Sequence, residues 1–146
     1  MKVTDHFHVE ELLHPDIIEM FGVSRSKRAL ELYAKDMLKG LETLSDWIGN
    51  ESITINDYKW NGRFKNSGVR LMSDPVGSAL SGHYAWCCTD CKFKERTAQS
   101  VQESILDSPN MHPHIVRMEN AAITKNWLHI QYGYRMPDEQ IIVFNP

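Results

Sequence analysis

With 146 residues the chain has room for one domain with a real hydrophobic core and not for a second of comparable size, so 1–146 is read as a single unit. Hydrophobic residues at 42% and charged residues at 24% exclude a disordered or fibrous chain. The formal charge is -3 and basic residues gather no further than pairs such as Lys27-Arg28, which argues against a nucleic-acid partner.

No apolar run is long enough to span a membrane, and Met1-Lys2-Val3-Thr4-Asp5-His6 lacks the basic-then-apolar start of a secretory signal. The expectation is a monomer made in the cytoplasm.

In chain order, Phe7 to Leu13 reads as a docked N-terminal arm, followed by a short helix from Pro15 that Gly22 stops. Between Ser26 and Ile48, apolar residues recur at Leu30, Ala34, Met37, Leu41, Leu44 and Ile48. Steps of three and four predict one long helix, closed by Gly49. Ser52 to Asn56 alternates like a half-buried strand, and Asp57 to Ser81 has the Gly, Ser, Asn and Asp content of a long irregular loop. Tyr84 to Cys91 suits a strand in which Trp86, Cys88 and Asp90 share one face. Thr97 to Leu106 reads as a helix presenting Ala98, Val101 and Ile105, broken by Pro109 and Pro113. Ile115 to Glu119, Trp127 to Tyr132 and Gln140 to Phe144 read as further strands. Helices first and strands later make the class α+β, N-terminal helices packed on a mainly antiparallel sheet.

Cys87, Cys88 and Cys91 are an odd number of thiols within five residues, which cannot form a closed disulfide framework and fits a reducing compartment. Cys88-Thr89-Asp90-Cys91 lacks the second ligand pair of a structural zinc site, so the thiols are expected to be free and outside any metal centre. His6, His8, His14, His112 and His114 are expected to be ordinary hydrogen-bonded histidines.

The chemistry concentrates elsewhere. His83 is followed seven residues later by Asp90, and His129 lies in a predicted strand; two imidazoles and a carboxylate can hold zinc and leave a fourth position for water. Zinc in such a site brings the bound water to near-neutral acidity, so that it can attack a carbonyl.

The series Ser67-Gly68-Val69-Arg70, then Ser81-x-His83 with Asp90, then Trp127-Leu128-His129 resembles the S-G-x-R, S-x-H-x-x-G-x-A-x-D and W-x-H series of the zinc D-Ala-D-Ala carboxypeptidase and L-alanyl-D-glutamate endopeptidase family. That family shares its fold with lysostaphin-type enzymes and the hedgehog signalling domain. The N-terminal Phe7-x-x-x-Glu11-Leu12 with Pro15, and the helix leading into Ile53-Thr54-Ile55-Asn56, are similar to its compact phage-encoded members. The resemblance implies zinc on His83, Asp90 and His129, with Arg70 the cation that orients the substrate carbonyl or carboxylate. It also implies a peptidoglycan stem peptide as substrate, and an endolysin-like role at the host wall after release or in a virion.

The chain departs from the pattern in three places. Trp86 stands at the family's Gly and Cys88 at its Ala, while Asn126 stands three residues before His129, where many relatives carry an acid. Asn cannot accept and return a proton. Glu119, at the end of the preceding predicted strand, is the candidate base, the alternative being a surface carboxylate. A hairpin turning near Thr124 would put it opposite His129. Ser81, Trp127 and Trp60 are the candidate substrate contacts, Trp60 as a cleft wall carried by the long loop. The alternative function is a non-catalytic zinc-binding domain, structural or protein-binding, that has lost the base.

Overall fold

The computed structural model describes residues 1–49, 52–73 and 81–146. Four helices come first: α1 (Val9–Leu12), α2 (Pro15–Phe21), α3 (Val23–Tyr33) and α4 (Lys35–Trp47). The strands are β1 (Ile53–Thr54), β2 (Cys88–Phe93), β3 (Ile115–Glu119), β4 (Leu128–Tyr132) and β5 (Ile142–Phe144), with α5 (Ala98–Asp107) after β2 and α6 (Ala121–Thr124) between β3 and β4. They form one sheet in the order β1-β2-β4-β3-β5, antiparallel throughout except that β5 runs parallel to β3. The class is α+β with a mostly antiparallel sheet.

Local chemistry explains the boundaries. The N–H of His8 donates to the Glu11 carboxylate at 2.6 Å, closing the first turn of α1. Pro15 opens α2 at the position where a missing N–H costs nothing, and Gly22 ends it at φ 74°, a left-handed backbone that glycine adopts freely. Thr97 caps α5 by accepting from the Ser100 N–H at 3.0 Å.

The long helix expected from Ser26 to Ile48 is two helices. The break falls at Ala34, with φ -113° and ψ 28°, although Ala34 N–H still donates to Leu30 and its carbonyl still accepts from Leu38. The apolar stripe runs through the bend unbroken, and Leu30, Ala34, Met37, Leu41, Leu44 and Ile48 are all buried. Periodicity alone therefore cannot show it. The strand expected from Tyr84 starts only at Cys88, because Trp86 takes φ 60°, a conformation no strand contains. The strand at 52–56 shortens to Ile53–Thr54, and the part of the expected long loop at 74–80 lies outside the described residues.

The sheet separates core from cleft. From β4, Leu128, Ile130 and Tyr132 enter the core with α4 and α5, while His129 and Gln131 face the other way. From β2, Thr89 and Cys91 point inward, Thr89 bonding the Tyr132 hydroxyl at 3.0 Å, and Asp90 points outward. Helix α4 crosses β4 so closely that a Cβ on Gly40 would lie 2.5 Å from the Tyr132 ring. No helix among the described residues is long and apolar enough to cross a membrane.

Two buried ionisable groups outside the cleft contribute to the acid limit of stability. Burial pushes the Glu10 carboxyl up, but hydrogen bonds from Lys59 and the Met1 amino group outweigh it and bring it down to about 2. His112 packs edge-on against Trp47 with ring centroids 4.8 Å apart, and burial first, then the Arg135 charge, lower it to about 4. For both groups the unfolded chain binds more protons in the window between the folded and ordinary values. Stability should fall as pH drops from about 6.5 to 4 through His112, and again from about 4.5 to 2 through Glu10. In urea unfolding followed against pH, His112→Phe should flatten the upper limb. Glu10→Gln should flatten the lower limb and cost about 1–3 kcal/mol at pH 7.

Candidate metal centre

The site is built on a backbone relay from the N-terminal arm. Leu12 accepts from the Val69 N–H at 2.7 Å, and the Val69 carbonyl accepts from the His14 N–H at 2.8 Å. Asn56 ties the same segment down, donating to the Leu13 carbonyl at 3.2 Å and accepting from the Ser67 N–H at 2.9 Å. The other side of the segment meets the site: the Ser67 carbonyl accepts from Asp90 N–H at 2.8 Å, and Arg70 N–H donates to the His83 carbonyl at 3.2 Å. Glycine is required at 68, where a Cβ would lie 2.1 Å from the Leu12 carbonyl oxygen.

The Gly68 carbonyl lies 2.7 Å from His83 Nδ1. A carbonyl only accepts, so Nδ1 carries the proton and Nε2 faces Asp90 Oδ1 at 3.4 Å. A neutral imidazole would present its lone pair to a carboxylate there, and only a cation between them, proton or metal ion, makes that contact favourable. His129 Nδ1 reaches the same Asp90 oxygen at 2.7 Å, and the two imidazole rings sit 5.1 Å apart. Burial pushes the Asp90 carboxyl up, but hydrogen bonds from His129 and His83 overcome it and hold the carboxyl well below the usual carboxylate range.

These donors fit a metal ion. A tetrahedral site with zinc's arms of about 2.0–2.1 Å to N and O has edges of about 3.3 Å. The His83–Asp90 separation matches, and the His129–Asp90 pair would part by several tenths of an ångström. The Gly68 carbonyl stands where an outer partner would fix the tautomer of a ligating histidine.

Cys88 corrects the expectation that the thiols stay apart. A donor atom from each of His83, Cys88 and His129 lies within 4.8 Å of the others, and all three residues are buried. Burial drives the Cys88 thiol far up, with Cys87, Asp90 and Glu119 adding to that and Arg70 opposing it. Cys87 and Cys91 are free thiols outside the cluster.

The cluster opens into a cleft of about 590 Å³. Arg70, Ser81, Glu119 and Trp127 line it with the two histidines and Asp90. Arg70 is buried, its guanidinium 5.8 Å from the Tyr84 ring centre, and the Ser81 hydroxyl accepts from His83 N–H at 3.3 Å. Glu119 ends β3, and extending the observed Met118–Ile130 pairing by one step sets it across from His129. Asn126 is exposed and does not line the cleft.

Trp60 is elsewhere. It is half exposed and meets the His8 ring edge-on at 5.9 Å, so the expected cleft wall on that side is absent from the described lining. Ile123, Thr124, Gln131 and Phe144 were not foreseen as wall residues. Phe144 arrives because β5 pairs parallel with β3, setting it beside Glu119, and no local pattern announces that pairing.

Alanine at His83 or at His129 should abolish stoichiometric zinc in metal analysis of the folded protein. Gly68→Ala must move the Leu12 carbonyl or its own, so it should weaken zinc binding by about tenfold or more, the scale for a displaced outer partner. It should also lower the unfolding midpoint. Zinc affinity equal to wild type in Gly68→Ala would show that the carbonyl does not orient His83.

No family model matches the chain, and neither a curated protein nor a solved structure matches it.

Proposed function

We propose that the chain is a zinc-dependent hydrolase of peptide bonds, with a bacterial wall stem peptide as substrate, as the sequence resemblance implies. The observation that supports it most is the placement of Glu119. Among the described residues it is the one side-chain carboxylate besides Asp90 that lines the cleft, and it does so with Arg70 and the His83–Asp90–His129 cluster.

His83, Asp90 and His129 would hold the metal, which when bound polarises the scissile carbonyl and acidifies a water. Arg70 supplies a buried cation beside the Tyr84 ring for the carbonyl or carboxylate oxygens of the substrate. Glu119 accepts the proton of the attacking water on its carboxylate and returns it to the leaving amine nitrogen. Trp127, Ile123 and Phe144 give the cleft apolar walls beside these charges. The left-handed backbone at Trp86, where the resembling pattern has glycine, is a further point of agreement.

The alternative, a metal-bearing interaction domain without turnover, draws on the Cys88 thiol beside both histidines. The two readings separate on activity. With zinc bound, wild type should release amine from wall-derived peptides. Glu119→Gln should keep zinc and the fold and lose about a hundredfold or more in rate. Arg70→Lys should keep the fold and lose rate, because an ammonium does not reproduce the two directed bonds of a guanidinium. A zinc-loaded wild type inert on every wall peptide, or a Glu119→Gln variant as fast as its parent, would count against hydrolysis by this route.

A further inference from the structure

One group in the cluster has no part in the hydrolysis described above. Cys88 is fully buried, lies on the same strand as Asp90 two residues before it, and brings its sulfur within 4.8 Å of nitrogens of both His83 and His129. Neither neighbouring thiol is so placed. Cys91 lies on the opposite side of β2, with its Sγ 3.3 Å from the Thr89 hydroxyl and 3.8 Å from that of Tyr132, and Cys87 directs its Sγ to the Gly82 carbonyl at 3.5 Å. Gly82 makes room for the sulfur, since a Cβ there would lie 2.9 Å from Cys88 Sγ.

We propose that Cys88 Sγ is a ligand of the metal centre alongside His83, Asp90 and His129, closing with a fourth protein donor the position that a hydrolytic site leaves open. The inference rests on the metal reading of the site and not on hydrolysis. Zinc centres with three protein donors keep a position for water or substrate, whereas four protein donors make a closed site. Thiolate is a donor of choice for zinc, and a sulfur already held beside two imidazoles needs little rearrangement to bind. On metal binding the thiol proton leaves to solvent and the Cys88 sulfur takes up the metal bond. In the zinc-loaded wild type a substrate oxygen would reach the metal by displacing the Cys88 sulfur.

The test uses the full chain, reduced, stripped with chelator and loaded with Co²⁺ as the spectroscopic probe. The expected result is one equivalent of Co²⁺ with a near-ultraviolet thiolate-to-cobalt charge-transfer band. Cys88→Ser should retain Co²⁺ and lose that band, and Cys87→Ser should keep both. Added azide should leave the visible cobalt spectrum of wild type unchanged and shift that of Cys88→Ser, where a position has opened. If Cys88→Ser does not fold, as judged by circular dichroism, the band in wild type surviving both Cys87→Ser and Cys91→Ala assigns it to Cys88. Cobalt bound by wild type with no charge-transfer band, or a band that survives in Cys88→Ser, overturns the inference while the metal reading stands. Wild type that binds neither Co²⁺ nor Zn²⁺ overturns both.

Discussion

The hydrogen bond between the Gly68 carbonyl and His83 Nδ1 is the contact on which the site depends. It selects the tautomer of His83 and so turns Nε2 toward Asp90 and the cleft. The carbonyl is in place because the 67–70 segment is clamped between the N-terminal arm and β2, through Leu12, His14 and Asn56 on one side and Asp90 on the other. The lack of a side chain at Gly68 permits that approach. Leu12, outside the cluster, thereby sets the geometry of a histidine of the candidate metal centre.

The sheet converts this local order into a site by alternation. Each central strand sends one set of side chains into the helical core and the other into the cleft, so the packing that buries Leu128 and Ile130 also fixes His129 between them. Thr89 and Tyr132 pair on the core side of the same two strands, which pins the β2–β4 register with a buried hydrogen bond. A slip of one residue would send Asp90 and His129 into the core and break the cluster. Core packing and metal-site geometry are one constraint in this fold.

Electrostatics divide the cleft between acid and base. Asp90 is held ionised by two imidazoles, Arg70 contributes a buried guanidinium, and Glu119 reaches the cleft from β3. Cys88 adds a soft donor to an otherwise hard set.

Much of this was legible in the sequence. Apolar spacing marked the buried stripe of α3 and α4, Gly22 and Gly49 marked helix ends, and the spaced His83, Asp90 and His129 identified residues that do come together. Alternation even places Cys88 and Asp90 on one face, although the lack of a second ligand pair in sequence argues for a thiol outside the metal centre, and spacing says nothing of its distance to His83. The bend at Ala34 was hidden because a one-residue dihedral change leaves the apolar stripe intact. Trp86 was assigned to a strand because its positive φ is imposed by the turn that delivers His83, not by its own preference. Trp60, Phe144 and Glu119 show the remaining divide. Trp60 and Glu119 are candidates from the sequence and Phe144 is not, and which of the three lines the cleft is decided by strand order and by the parallel β3–β5 pairing. Sequence determines which side chains can bind a metal or bury themselves, because those are properties of residue type and local period. Which of them meet is determined by long-range pairing, because distance in the fold is set by contacts that no local window contains.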